Sequence, residues 1–360
     1  MNNIEKSGYT DCRLMHPHVK RMLRAAAVLI IAAFAIITQT GCGNKEVSKT
    51  DFVLNTSSTI TIYGMNESDG EEILSGAFKE IRRYENLLSR TIEGSDIYNI
   101  NHADGAPTEV SDETIEVIKL GIEMGDISDG GFDITVGRLT EMWNFTGENP
   151  HVPEQSAIDE AVRSVGYKNI IVEGNTVTLK DAGAAIDLGG VAKGYIADRI
   201  TEYLEENGVS SAVINLGGNV VVLGSKEDGS AWSVGIERPY SDHTEVIGSI
   251  KTKDATVVTS GTYERKFEED GVLYHHVLDP ATGYPADTDL ESVTITAERG
   301  NSGFCDGLST ICLLSGKEKA GELIKELQEK YPEMGLEAAF IDKNDDIVQT
   351  EGMNITPAED

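Results

Sequence analysis

Residues 187–194 read Asp187-Leu188-Gly189-Gly190-Val191-Ala192-Lys193-Gly194, a glycine-rich stretch that follows an apolar run and opens a helix. Two adjacent glycines let the backbone turn sharply, and apolar residues then recur at helical spacing until Gly208. Unpaired N–H groups and the helix dipole attract phosphate at such a turn, and the Lys193 ammonium adds a full charge. The stretch therefore predicts an anion site, with a plain connecting turn and a solvated Lys193 as the alternative.

The composition of the 360-residue chain is that of a globular protein, 39% hydrophobic and rich in glycine. Its formal net charge is −31. Binding a nucleic acid requires lysine and arginine side chains that neutralise phosphates, so this charge excludes nucleic acid as a partner. A small ligand that carries phosphate would need a local cation or a helix terminus.

The first 42 residues have the pattern of a lipoprotein signal peptide. Basic residues precede a short apolar run at 25–37, and Thr40-Gly41-Cys42 follows directly. This apolar run is too short for a comfortable membrane span. The pattern predicts export, with Cys42 lipidated and the mature protein anchored on the extracytoplasmic side of a bacterial cell membrane. A plain cleaved signal with an incidental cysteine is the alternative.

One α+β unit is predicted over residues 51–350, between a polar tether at 43–50 and an acidic tail at 351–360. The segments with strand-like patterns are 52–63, 170–179, 212–223, 232–237, 246–251, 256–259, 272–278, 292–297, 338–341 and 347–349. Those with helical patterns are 71–88, a segment capped by Ser111, 139–143, 192–208, 302–314 and 317–330. Strands without intervening helices favour antiparallel sheet.

Two other segments contain residues suited to catalysis. Asp306 and Thr310 lie four positions apart on a predicted helix, so their oxygens share one face. A carboxylate beside a hydroxyl suits a hard cation such as Mg²⁺. His276 follows a predicted strand and precedes Asp279-Pro280, and histidine is suited to proton transfer near neutral pH. A solvated carboxylate and a structural histidine are the alternatives.

Six stretches together resemble the ApbE family of FAD:protein FMN transferases, and the resemblance runs from about Phe52 to about Leu314. They are Gly130–Thr135, Asp187–Gly194, Asn215–Asn219, Thr259–Gly261, His276–Gly283 and Asp306–Thr310. The resemblance implies an α+β, T-fold-like architecture of two packed lobes of sheet and helix, with FAD held between them.

The resemblance also implies roles for single residues. The residues that would contact FAD are Leu54, Gly131, Phe132, Asp133, Asp187, Lys193 and His276. Mg²⁺ would be held by the backbone carbonyl of Gly190 and the side chains of Asp306 and Thr310. At two positions the chain departs from the family pattern, because Leu54 replaces a common methionine and Thr91 replaces an aromatic residue. The second change removes a surface for ring stacking.

The activity implied by the resemblance is Mg²⁺-dependent transfer of FMN from FAD to a threonine or serine hydroxyl of an acceptor protein, with release of AMP. His276 would take the hydroxyl proton or position the phosphate. The acceptor would be a subunit of a membrane electron-transport complex or an exported flavoprotein. A metal-dependent FAD pyrophosphatase and a non-catalytic FAD-binding lipoprotein are the alternatives.

Overall fold

The structure is a computed structural model and describes residues 46–241 and 245–358. The predicted signal peptide, including Cys42, lies outside these residues. Within them, no helix is both long enough and apolar enough to span a bilayer. The strands are β1 (Val47–Val53), β2 (Thr56–Ile62), β3 (Thr108–Glu109), β4 (Ile170–Glu173), β5 (Thr176–Leu179), β6 (Ala212–Leu216), β7 (Asn219–Leu223), β8 (Trp232–Glu237), β9 (Val246–Thr252), β10 (Ala255–Gly261), β11 (Lys266–Glu269), β12 (Val272–His275), β13 (Leu290–Glu298), β14 (Glu337–Asp342), β15 (Ile347–Gln349) and β16 (Ile355–Pro357).

The helices lie mainly in the first half of the chain and near its end. They are α1 (Glu67–Leu88), α2 (Asp96–Asn101), α3 (Asp112–Ile127), α4 (Gly137–Trp143), α5 (Gln155–Ser164), α6 (Ala192–Glu206), α7 (Ser302–Ser315) and α8 (Lys317–Lys330). Ser111 caps α3 as predicted, because its hydroxyl accepts a hydrogen bond from the Thr114 N–H. Helix α6 ends at Glu206, and Gly208 just beyond it takes the positive φ that lets the chain turn away from the helix.

An eight-stranded sheet organises the molecule, with strand order β1-β2-β6-β7-β10-β13-β14-β15. Each neighbouring pair in it is antiparallel. Helices α1, α6, α7 and α8 pack on one face. A smaller sheet, β16-β9-β8, covers part of the other face, where Trp232, Val234 and Ile236 join a second apolar cluster. The α+β architecture with antiparallel sheets is therefore confirmed, whereas two lobes around FAD stay a prediction.

The central strands are buried on both faces, which explains their continuous apolar sequences. In β10, Val258 belongs to the helix-side core while Val257 belongs to the cluster under the small sheet. In β14, Phe340 belongs to the helix-side core and Ile341 to the cluster under the small sheet. Successive side chains on a strand point to opposite faces, so both sets of neighbours must be apolar to be buried.

Several predicted element boundaries are wrong. Residues 52–63 form part of a hairpin rather than one strand, because Leu54 and Asn55 adopt positive φ and reverse the chain. Residues 212–223 likewise form a hairpin around Gly217-Gly218. β12 ends at His275, earlier than predicted. The apolar residues before Asp187 do not form a regular strand, because Ala185 forms only a single bridge, with Val136.

The predicted limits of the unit also need correction. β1 begins at Val47, so the segment predicted as a tether contains the first residues of a strand of the large sheet. The predicted acidic tail contains β16, which pairs with β9, and Met353 just before it is buried. Side-chain packing against the small sheet, rather than charge, decides the structure of this end of the chain.

Candidate active site

Several turns meet at one end of the large sheet. The β1–β2 turn, the β6–β7 turn at Gly217-Gly218 and the end of β10 lie there, because antiparallel pairing sets Ser58 beside Leu216 and Asn219 beside Val258. Helix α7 crosses the same region, and the hydroxyls of Ser260 and Ser309 lie 2.7 Å apart. This end of the sheet collects most of the stretches that the sequence singled out.

Asp187 and Arg90 form an ion pair beside the glycine-rich stretch. The Arg90 Nε donates to Asp187 Oδ2 at 3.0 Å, and both side chains are largely shielded from solvent. The other oxygen, Oδ1, accepts a hydrogen bond from the Gly189 N–H, which fixes the tight turn before α6. Arg90 was not assigned a role from the sequence. Its partner lies 97 residues away in the chain, so local spacing gives no signal of the pair.

Lys193 and Asp306 join the first turn of α6 to α7. The Lys193 ammonium lies 3.4 Å from Asp306 Oδ1, and the Gly194 N–H donates to Asp306 Oδ2 at 3.0 Å. Asp306 is only 1% exposed, which excludes the alternative of a solvated surface carboxylate. A buried carboxylate needs hydrogen-bond donors, and both oxygens of Asp306 have one.

Asp198 fixes the start of α7 against α6. Its two carboxylate oxygens accept hydrogen bonds from the backbone N–H groups of Ser302 and Gly303, each at 3.1 Å. Burial raises the pKa of Asp198 to about 6, although the two backbone donors act in the opposite direction. Since α7 carries Asp306 and Thr310, this contact sets where those side chains stand relative to Lys193.

Gly190 and Thr310 lie close together beneath the ring of Phe132. A Cβ at Gly190 would stand 2.8 Å from Phe132 Cε2 and 3.9 Å from Thr310 Oγ1. Position 190 therefore has room only for glycine while Phe132 stays buried. The residues predicted to hold a cation, Gly190, Asp306 and Thr310, are thus gathered around the first turn of α6.

Asp133 has an evident role in its own loop. Its Oδ1 accepts from the N–H and the hydroxyl of Thr135, and its Oδ2 accepts from the Tyr167 N–H. The Phe132 N–H in turn donates to the Ser128 hydroxyl at 2.8 Å. These bonds shape the loop that presents Phe132. Contact of Gly131, Phe132 and Asp133 with FAD stays a prediction.

His276 follows β12 and is held by its backbone N–H, which donates to the Arg265 carbonyl at 3.0 Å. Burial lowers the pKa of His276 to about 3, and the positive charges of Arg265, His275 and Lys193 act in the same direction. Its Nδ1 is buried without a hydrogen-bond partner among the described residues. The imidazole is therefore neutral and has a nitrogen free to bind a proton or a ligand.

Glu264 is a site residue that the sequence reasoning missed. A Cβ at Gly218 would lie 3.9 Å from Glu264 Oε1, which places this carboxyl at the β6–β7 turn. The surrounding protein raises the pKa of Glu264 to about 7, with Lys193 and Arg265 acting against the rise and Asp306 adding to it. The side chain nevertheless keeps contact with solvent. The feature of the sequence that could have indicated Glu264 is its position just after the Thr259–Gly261 stretch.

Leu54 lies in the β1–β2 turn at the same end of the sheet. Its N–H donates to Glu85 Oε1 at 2.8 Å, and its side chain packs on the main core. The nearby Thr56 side chain would stand 2.4 Å from a Cβ at Gly217. Leu54 therefore neighbours the β6–β7 turn, but its contact with FAD stays a prediction.

The donor set fits a hard cation bound together with a phosphate. Among the described residues no group of three histidine, cysteine or acidic side chains could hold a metal by itself. One buried carboxylate, one hydroxyl and a backbone carbonyl are instead the incomplete oxygen set that Mg²⁺ shares with substrate phosphates and water. Asn219 Oδ1, a buried amide oxygen near Asp306, also lacks a partner in the part of the chain described.

The α+β fold, with Lys193 of the glycine-rich turn beside the buried Asp306 carboxylate, has the groups expected of a protein that binds a phosphate ligand. Within that class the chain belongs to the ApbE family, whose model matches residues 54–334. An FAD:protein FMN transferase of Klebsiella pneumoniae is 36% identical over 284 residues, covering 78% of this chain and 85% of the relative. A Treponema pallidum protein of the same name is 32% identical over 321 residues, covering 83% and 86%.

Solved structures agree with the family assignment. The crystal structure of the ApbE protein of Thermotoga maritima has a TM-score of 0.76 and 36% identity, and the match covers 86% of this chain and 97% of that one. The flavin transferase ApbE of Vibrio cholerae has a TM-score of 0.74 and 25% identity, with 86% and 97% covered. The fold and the family are therefore shared over nearly the whole ordered unit.

Proposed function

We propose that the protein is an FAD:protein FMN transferase that moves FMN from FAD to a threonine or serine hydroxyl of an acceptor protein. The observation that carries this proposal is the junction of Lys193, Asp306 and the Gly194 N–H, beside Thr310 and Gly190, in a chain of the ApbE family. A flavin carrier without turnover has no need of a buried carboxylate and hydroxyl beside an anion turn.

Binding of the FAD pyrophosphate is supported by the local charge around the glycine-rich stretch. The chain has a net charge of −31 and would repel an anion at long range. Lys193 lies at the start of α6, where the helix dipole is positive and where Val191 gives no side-chain cap. The pyrophosphate is the part of FAD that a lysine at a helix N-terminus would bind.

Asp306, Thr310 and the Gly190 carbonyl would hold Mg²⁺ against the pyrophosphate. A bound Mg²⁺ would neutralise phosphate charge and stabilise the charge that develops on the departing AMP. The residues of the chain have separate tasks. Lys193 would neutralise a further phosphate oxygen, and Asp198 keeps α7 in place so that the Asp306 carboxylate faces Lys193.

The chemical step exchanges the phosphoanhydride bond of FAD for a phosphoester bond to the acceptor. The acceptor hydroxyl oxygen bonds to the FMN phosphorus while the bond from that phosphorus to the bridging oxygen breaks. AMP leaves with the bridging oxygen, and the hydroxyl proton passes to a base. His276 is the proposed base, since its neutral ring and unpaired Nδ1 leave it free to accept a proton. An approaching dianionic pyrophosphate would raise the low pKa of His276.

The cellular context is proposed from the sequence alone. The pattern of residues 1–42 supports export and lipidation at Cys42, for example with palmitate, on the extracytoplasmic face of the cell membrane. The acceptor would then be a subunit of a membrane electron-transport complex or an exported flavoprotein. Labelled palmitate should enter the wild-type chain in cells and fail to enter Cys42→Ser, and equal labelling of both would contradict the anchor.

The activity can be tested with the fragment 44–360, FAD and Mg²⁺, with and without an acceptor protein that presents a candidate threonine. AMP is followed by chromatography, and flavin on the acceptor by in-gel fluorescence. AMP release that requires the acceptor, together with a fluorescent acceptor band, is the expected result. AMP and free FMN without acceptor would identify a pyrophosphatase instead, and FAD that binds but stays intact would identify a carrier.

A further inference from the structure

Asn219 is a buried polar residue of the Asn215–Asn219 stretch to which no role has been assigned above. It opens β7, is 1% exposed, and pairs with Leu216 on β6 and Val258 on β10. Its backbone is thus fixed in the middle of the large sheet. Its side chain points toward α7, where the Nδ2 donates to Asp306 Oδ1 at 3.3 Å.

The orientation of the Asn219 amide follows from its partner. An ionised carboxylate can only accept hydrogen bonds, so the amide must turn its NH₂ group toward Asp306. The carbonyl oxygen, Oδ1, then points elsewhere and has no hydrogen-bond partner among the described residues. Leaving such a buried acceptor unpaired costs about 1–3 kcal/mol, and native proteins seldom do so without a reason.

The groups nearest the Asn219 amide belong to the proposed cation site. Asp306 lies next to the amide, and Lys193 lies 3.4 Å from the same Asp306 oxygen. Thr310, one helical turn further along α7, has a hydroxyl oxygen beside Gly190. Neutral amide oxygens and carboxylates are the protein ligands that hard divalent cations take.

We propose that Asn219 is a further residue of the cation site, with two separate tasks. Its Nδ2 orients the Asp306 carboxylate, and its Oδ1 is an oxygen donor to the cation, directly or through a bound water. This inference rests on the proposed cation site and adds to it a ligand from the sheet, at the start of β7.

The test uses Mn²⁺ as the probe. It is titrated into the fragment 44–360 without FAD, and binding is followed by the loss of the electron paramagnetic resonance signal of free Mn²⁺. We expect Asn219→Ala to weaken Mn²⁺ binding by about 10- to 100-fold, as the loss of groups around a metal commonly does. Asn215→Ala is the matched control, because the Asn215 Oδ1 only accepts from the Gly218 N–H within the turn. It should leave the affinity within about threefold of wild type.

A second variant separates the two tasks of the amide. Asn219→Asp keeps an oxygen where Oδ1 stands and removes the donor to Asp306, so we expect it to bind Mn²⁺ at least ten times more tightly than Asn219→Ala. If both variants are equally weak, Asn219 only orients Asp306 and the ligand role is wrong. Thermal unfolding of each variant shows whether the fold is retained before affinities are compared.

A third variant, Asp306→Asn, shows whether the role of Asn219 or the proposed cation site itself is wrong. If Asp306→Asn abolishes Mn²⁺ binding while Asn219→Ala matches wild type, the cation site stands and the role of Asn219 is wrong. If wild type and Asp306→Asn behave alike, the cation site itself is wrong, and the inference falls with it.

Discussion

At the scale of single residues, the candidate site contains two titratable groups whose pKa values move in opposite directions. Burial lowers the pKa of His276 to about 3, and the protein around the Glu264 carboxyl raises its pKa to about 7 in spite of Lys193 and Arg265. Both groups are therefore uncharged in weakly acidic solution. The charged groups beside the glycine-rich turn are then two ion pairs, Lys193 with Asp306 and Arg90 with Asp187.

The lowered pKa of His276 predicts how stability depends on pH. In the unfolded chain the imidazole binds a proton below its ordinary pKa of 6.5, whereas in the folded chain it stays neutral down to about 3. The unfolded state then binds more protons, so the free energy of unfolding should fall as the pH is lowered through this window, by up to about 1.4 kcal/mol per pH unit.

His276→Gln should remove this contribution, which chemical denaturation at pH 7, 6, 5 and 4 can measure. The variant should lose less stability than wild type on acidification. His102→Gln, at an exposed histidine, is the control and should follow the wild-type curve. Parallel curves for wild type and His276→Gln would contradict the buried, neutral state of His276.

At the scale of elements, the site depends on how closely α6 and α7 approach. Gly194 lies at their crossing, where a Cβ would stand 2.2 Å from the Ser302 carbonyl oxygen. The two backbones can meet there only because position 194 has no side chain. The same approach brings the Gly194 N–H to Asp306, so packing and the chemistry of the site share one constraint.

Gly194→Ala should force the two helices apart and lower the free energy of unfolding by about 1–3 kcal/mol or more. Gly321→Ala is the matched control on α8, where an added Cβ meets open space. In a helix interior that change should stabilise the protein by roughly 0.5–1 kcal/mol. Urea unfolding of both variants measures the difference, and a Gly194→Ala protein as stable as wild type would show that the helices do not need this contact.

At the scale of the whole molecule, the sequence predicted the α+β class and the helices that carry the site. Helical periodicity and the Ser111 cap gave α1, α3, α6, α7 and α8 because these depend on neighbours in the chain. The hairpin at Leu54-Asn55 was missed, since no glycine or Asn-Gly pair marks it and both residues take positive φ under the control of strand pairing.

The parts of the site that the sequence could not predict depend on distant contacts. The bonds between Arg90 and Asp187, between Asp198 and the start of α7, and between Asn219 and Asp306 join residues 87 to 105 positions apart. Such pairs exist only after the sheet and helices have packed. Residue spacing indicated Lys193, Asp306 and Thr310, and the resemblance added their expected roles, but the neighbouring positions that orient them came from the structure.

The most direct test of the account is the rate of acceptor-dependent AMP release from FAD by Asp306→Asn at saturating Mg²⁺. The account predicts a loss of at least about 100-fold, because the charge that holds the cation and faces Lys193 is removed. Asp159→Asn, at an exposed aspartate of α5, should keep the wild-type rate. An Asp306→Asn protein that is folded and releases AMP at the wild-type rate would contradict the assignment of this junction as the active site.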